Sequence, residues 1–150
     1  MQINIIKEFL KNQEWQFTQV EGKNLLLFGI GGKNGNFQCI ADLIDEDNSL
    51  IFYSVCGANT PENKRLDMLQ LLNDLNYKLF FGNFEMDFLT GEVRIRTSIS
   101  FKHFELNQDF IEELIMSNII TMDKSLPSII GLMFGEISVE KALELSSKEE

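Results

Sequence analysis

Phe84-Glu85-Met86-Asp87-Phe88-Leu89-Thr90-Gly91-Glu92-Val93-Arg94-Ile95-Arg96-Thr97-Ser98-Ile99-Ser100-Phe101 alternates apolar and polar residues on both sides of Thr90-Gly91. That period of two, broken once by a turn-forming pair, predicts a β-hairpin of two strands over residues 80–88 and 92–104, with one greasy face and one hydrated face. A two-residue turn pairs Leu89 with Glu92, which sets Asp87 opposite Arg94 and Glu85 opposite Arg96. Each such cross-strand pair adds about 0.2–1 kcal/mol. Both arginines then have partners inside the chain, so they are read as structural rather than as a carboxylate-binding fork. Such a hairpin needs more strands beside it and helices over its apolar face.

Upstream, extended runs cover residues 15–20, 25–30, 37–44 and 50–55. They are separated by the turn clusters Glu21-Gly22-Lys23-Asn24, Gly31-Gly32-Lys33-Asn34-Gly35 and Asp45-Glu46-Asp47-Asn48, which predicts an antiparallel meander. Before it, Ile3, Ile6, Phe9 and Leu10 stand at helical spacing. Thr60-Pro61-Glu62 reads as a helix start, with the Thr60 hydroxyl as the cap. Met68, Leu71, Leu72, Leu75 and Leu79 form the apolar face of that helix, and Leu66 and Leu69 are expected to reach the sheet beside Leu72 and Leu75.

Downstream, Asn107 predicts an N-cap for a helix over residues 108–122, whose stripe is Ile111, Leu114, Ile115, Ile119 and Met122. A separate helix is expected over 124–134, with Pro127 in its first turn and Gly135 as its stop. One more short helix is expected over 138–145, followed by a frayed tail, Ser146-Ser147-Lys148-Glu149-Glu150. The fold class is therefore α+β, a meander plus hairpin packed against helices. The expected organisation is one domain over residues 1–135, with a short helix and acidic tail over 136–150.

With 150 residues, 44% of them hydrophobic, a single core burying roughly 70% of the unfolded surface is expected. A net charge of −10 and a pI near 4.6 oppose binding to nucleic acid and to anionic membranes. No apolar run approaches the roughly 20 residues of a spanning helix, and Asn4, Lys7 and Glu8 interrupt any leader, so a cytoplasmic protein is expected. Cys39 and Cys56 lack CxxC spacing and read as reduced, buried thiols.

Candidate chemistry is sparse. The glycine loop from Gly29 to Gly35 has no Gly-Lys-Ser/Thr and opens no helix, so it reads as a hairpin loop rather than a phosphate cradle. Residues 45–48 carry the acids of a calcium loop, but Leu50 replaces its glycine and no glutamate closes it, which leaves a solvated turn. His103, the single histidine, has no second ligand of zinc type and is read as a strand residue. Asp42, Asp45 and Asp87 are the carboxylates considered for acid/base work, and no pairing among them is evident. No enzyme, metal or cofactor is expected.

Four segments together resemble the YbjN-like domains, also described as putative bacterial sensory transduction regulators: Pro61-Glu62-Asn63-Lys64-Arg65, Leu72-Asn73-Asp74-Leu75-Asn76-Tyr77, Gly82-Asn83-Phe84-Glu85-Met86-Asp87 and Thr90-Gly91-Glu92-Val93-Arg94-Ile95-Arg96. The resemblance spans residues 1–135. It implies a fold like that of the type III secretion chaperones, compact α+β domains that dimerise and hold an extended partner segment. The function expected is a non-enzymatic protein-binding module, chaperone-like or a regulatory adaptor. The alternative is a small-molecule or ion sensor. A homodimer is also expected, because the C-terminal helices carry more apolar surface than a small sheet can cover. Ile119, Met122, Leu126, Ile129, Ile130, Met133 and Phe134 are its partner-binding candidates. The competing arrangement folds these helices back over the sheet within one protomer.

Overall fold

The computed structural model describes residues 2–147. Its elements are α1 (Gln2–Asn12), β1 (Thr18–Gln19), β2 (Leu25–Gly31), β3 (Asn36–Ile44), β4 (Ser49–Asn59), α2 (Arg65–Lys78), β5 (Asn83–Met86), β6 (Glu92–Ser100), α3 (Gln108–Phe134) and α4 (Val139–Ser147). The six strands form one antiparallel sheet in the order β1-β2-β3-β4-β6-β5. All four helices belong to one core with one face of this sheet. Leu26, Phe28, Phe37, Phe52, Val93 and Ile95 point into it, against Ile6 and Leu10 of α1, Met68 and Leu71 of α2, and Ile111, Leu114 and Ile115 of α3. Among the described residues no helix covers the opposite face.

The hairpin keeps its predicted faces but not its predicted partners. Glu85 stands opposite Arg94 and Phe84 opposite Ile95, a slip of two residues along the partner strand. The cause is Asp87. Its carboxylate accepts from Leu89 N–H at 3.0 Å, its N–H donates to Glu92 O, and its carbonyl accepts from Gly91 N–H, so the connection is a four-residue loop. Because the shift is even, no side chain changes face. Gly91 sits at φ +80°, and a Cβ there would collide with the carbonyl of Thr60.

Thr60 does not cap a helix. Its N–H donates to Gly91 O, its carbonyl accepts from Arg65 Nε, and its buried hydroxyl has no partner. A 3-10 turn, Glu62–Lys64, leads into α2 without a side-chain cap. On α2, Met68, Leu71, Leu72 and Leu75 are buried, whereas Leu66 and Leu69 are exposed, at 74% and 40%. A stripe at positions 68, 71, 72 and 75 places 66 and 69 on the outer flank. Three further expectations for strands fail. Residues 15–17 are irregular, with Trp15 stacked on Phe28; residues 80–82 form the turn before β5; and β6 ends at Ser100, leaving His103 exposed in a turn.

The two helices expected over 108–122 and 124–134 are one 27-residue helix with Pro127 inside it. Proline at 127 removes the N–H that the Asp123 carbonyl would otherwise accept. The side chain of Asn34 supplies a substitute, its Nδ2 donating to that carbonyl at 3.0 Å. From the same glycine loop, the N–H groups of Lys33 and Asn34 donate to the two Asp123 carboxylate oxygens, at 3.1 and 2.8 Å. Gly32 must be glycine for this approach, since a Cβ would overlap that carboxylate. The loop does cradle an anion, and the anion is the chain's own.

Beyond α3, Val139 and Ala142 of α4 are buried in the same core, and Ser128 Oγ donates to Ala142 O. Ser146 and Ser147 close α4 rather than fraying from it; the expected tail at 148–150 lies outside the described residues.

Leu75→Ala and Ile95→Ala should each lower stability by about 2–5 kcal/mol in urea unfolding, while Leu66→Ala should shift it by no more than about 0.5 kcal/mol. Asn34→Ala and Asp123→Ala should each cost about 1–3 kcal/mol. The pair should be non-additive in a double-mutant cycle.

Candidate docking surfaces

Five of the seven partner-binding candidates are taken up by the protomer's own core: Ile119, Met122, Leu126, Ile129 and Met133 are buried. Ile130, at 37%, and Phe134, at 62%, are exposed. A six-stranded sheet together with α1 and α4 covers more helix than the sequence pattern suggested. Other large apolar side chains also stand in water, among them Leu66, Leu89 and the Phe104–Phe110 pair, but two apolar surfaces run across several elements.

The first is a groove of about 520 Å³ between the C-terminal end of α2, the connection to β5, and α3. Leu75, Leu79 and Phe84 are among the apolar residues lining it, together with Phe80, Phe81 and Ile120; Lys78, Lys124 and Glu113 are its charged residues. Phe80 is fully solvent-exposed and Ile120 is 58% exposed. Two contacts hold the groove open. The Asn76 amide pairs with Phe84, accepting from its N–H at 2.7 Å and donating to its carbonyl at 3.0 Å. This satisfies outward backbone groups of the edge strand β5. Gly82, at φ +84°, then reverses the chain so that Phe80 and Phe81 are left outside. Sequence reasoning missed this site by reading residues 80–88 as one strand. The available signal was the adjacent pair Phe80-Phe81, which breaks alternation immediately before a glycine.

The second is the uncovered face of the sheet. Leu27, Ile40, Ile51, Tyr53 and Val55 are half-buried there, side by side across β2, β3 and β4. Arg94 lies 4.2 Å from the Tyr53 ring centroid and Arg96 lies 5.4 Å away, within cation–π range. Both guanidinium groups donate to the same oxygen, Glu85 Oε1, at 2.5 and 2.9 Å. The expected pairing of Glu85 with Arg96 is therefore present, as a diagonal contact. Asp87 does not pair with Arg94. Burial opposes ionisation of Glu85, but hydrogen bonds from Arg96 and Arg94, with their charges, outweigh it and hold the carboxyl below its ordinary range.

Residues 2–130 match the family model for YbjN, a putative bacterial sensory transduction regulator. The chain belongs to the YbjN family. Among solved structures it is similar to YbjN, a putative transcription regulator from E. coli, with 15% identity, 79% of this chain and 89% of that chain covered, and a TM-score of 0.56. That likeness is one of fold. A further similarity is to the HopA1–SchA chaperone–effector complex, with 14% identity, coverage of 78% and 85%, and a TM-score of 0.46. No curated protein sequence matches. The YbjN match ends within α3, so α4 lies beyond it. None of these descriptions names a catalytic activity.

The other sequence candidates stand apart from one another in this YbjN-family chain. Asp42 is on the uncovered sheet face, Asp45 accepts from Asn24 Nδ2 at 2.5 Å, and Asp87 folds its turn. Asp45–Asp47 is a 3-10 turn closed by Asn48 at φ 48°. Among the described residues no three His, Cys, Asp or Glu side chains gather to hold a metal, and no helix is long and apolar enough to cross a membrane. Cys39 and Cys56 are buried free thiols, with burial pushing Cys39 up to about 12 against the hydrogen bond with Ser54. A thiol held protonated in this way is a poor nucleophile.

Because folding lowers the Glu85 pKa, its stabilising contribution is complete above its ordinary value of 4.5 and is lost as pH falls through the lowered one. Urea unfolding of the wild type and Glu85→Gln should therefore differ by a few tenths to about 1 kcal/mol at pH 7. The difference should shrink steadily below pH 4.5.

Proposed function

We propose that this YbjN-family chain is a non-enzymatic protein-binding adaptor that holds an apolar segment of a partner in the groove beside α2. The exposure of Phe80 and Phe81 above an apolar floor carries this reading. Aromatic side chains standing in water beside a pocket are the usual anchors of protein contacts. Lys78, exposed at the groove in a chain of net charge −10, offers one cationic contact to an acid flanking the partner's apolar residues. Whether the held segment belongs to a chaperone's client or to a regulator's target depends on the partner.

A small-molecule sensor is the second reading, favoured by the groove's size, which lies within the roughly 300–1,000 Å³ of ligand sites. A photo-crosslinking phenylalanine analogue at position 80 distinguishes the two in extract from the native cell. The adaptor should yield discrete protein adducts that vanish when the analogue is moved to Lys64, away from the groove. Phe80→Ala with Phe81→Ala should weaken binding of the captured protein by about 10- to 100-fold, or about 1.4–3 kcal/mol, with little change in stability. A sensor would give no adduct, and a metabolite at 100 times its Kd would stabilise the fold by about 2.7 kcal/mol.

A further inference from the structure

We propose that Asn34 is a site of self-modification: its side-chain amide hydrolyses through a succinimide formed with Gly35, the folded loop holds that reaction back, and its completion frees the C-terminal half of α3. Alone among the chain's asparagines, Asn34 is followed by glycine. Glycine has no Cβ to shield its nitrogen, and both residues are half-buried in a loop at the surface, within reach of water. Water is the only co-reactant. The Gly35 nitrogen gives its proton to solvent and bonds to Asn34 Cγ, the Cγ–Nδ2 bond breaks, and ammonia leaves with a proton taken back from solvent. A water molecule then opens the five-membered ring at one of its two carbonyls. Addition at Cγ yields aspartate, and addition at the main-chain carbon yields isoaspartate, whose main chain is one methylene longer. One water is consumed, one ammonia is released, and no atom changes oxidation state.

Restraint and consequence come from the same bonds. To close the ring, Cγ must turn away from Asp123 and toward the Gly35 nitrogen, and three hydrogen bonds oppose the turn. Asn34 Nδ2 donates to the Asp123 carbonyl at 3.0 Å, Asn34 N–H to the Asp123 carboxylate at 2.8 Å, and Gly32 N–H to Gly35 O at 2.8 Å. The reaction is therefore confined to moments when the loop opens. Either product lacks the Nδ2 donor and adds a negative charge, in a loop whose N–H groups already serve the Asp123 carboxylate. In aspartate, a carboxylate oxygen takes the place of Nδ2 and meets the Asp123 carbonyl, acceptor against acceptor. Pro127 offers no N–H to that carbonyl, so it stays unpaired, and like charges push residue 34 away from the helix. Whatever depends on α3 beyond Asp123 shares the loss. Lys124 and Ser125 stand in the wall of the groove, and α4, held by the Ser128 hydroxyl through Ala142 O, supplies Ser146 to the same wall. The change acts on the fold itself, whatever the groove holds.

Mass spectrometry with peptide mapping, on the full chain aged at pH 8 and 37 °C, tests this. The gain in mass from replacing NH2 by OH should fall on Asn34 first, and in urea it should proceed about tenfold or more faster than in the folded chain. Asp123→Ala, which removes the carboxylate that holds the loop, should speed conversion of the folded chain severalfold. Amide hydrogen exchange reads the consequence: Asn34→Asp should exchange about tenfold or more faster than the wild type over residues 124–134, with residues 108–118 still protected. Conversion no faster in urea or in Asp123→Ala than in the folded wild type overturns the inference, as does conversion that falls first on another asparagine. So does an Asn34→Asp chain whose residues 124–134 exchange at the wild-type rate. Should Asn34→Asp fail to fold, the aged wild type, separated from the unconverted chain by its extra charge, is measured in its place. Should Asp123→Ala fail to fold, the urea comparison alone decides the restraint.

Discussion

The Asp123 carbonyl, deprived of its helical donor by Pro127 and supplied with another by Asn34, is the point on which this architecture turns. An interior proline costs a helix about 3 kcal/mol, and without compensation α3 would divide there. Because the glycine loop between β2 and β3 reaches across and meets both the carbonyl and the carboxylate of Asp123, α3 stays a single rod from Gln108 to Phe134. As one rod, α3 packs against β4 and β6 while also meeting α1, α2 and α4.

The two apolar surfaces follow from that arrangement. With α3 lying along one face of the sheet, most of its stripe is consumed internally; one surface is left where α2 hands over to β5 beside the flank of α3 that carries Ile120, and the other on the sheet face that no helix among the described residues covers. At the centre of α3 the packing is reinforced by a polar contact. Asn118 is fully buried, and its amide donates to Phe52 O, Ile95 O and Thr97 Oγ1. An amide placed among strand carbonyls specifies where the helix sits along the sheet, because sliding it would leave a buried donor unpaired.

The two surfaces differ in chemistry as well as position. The groove has exposed aromatic side chains and charges of both signs, Lys78, Lys124 and Glu113, at its margin. The sheet face holds its tyrosine against the Arg94 guanidinium, with Asp42, Glu85, Asp87 and Glu92 outnumbering Arg94 and Arg96 there.

Periodicity along the chain was enough to establish the α+β class, the strands β2, β3, β4 and β6, the buried face of α2 through Met68, Leu71, Leu72 and Leu75, and the inward and outward faces of the hairpin. These depend on which side of an element a residue occupies, a local property that period and parity carry. The family was legible too, in the segments from Pro61 to Arg96. What a residue meets was decided only by tertiary structure. Asp87 folds its turn instead of pairing with Arg94, Thr60 joins Gly91 instead of capping a helix, and Asn34 rescues a carbonyl some 90 positions away in the chain. The docking surfaces belong to the same category. An exposed apolar patch is what remains after every other apolar residue has found cover, and local pattern cannot show how much cover six strands and four helices provide.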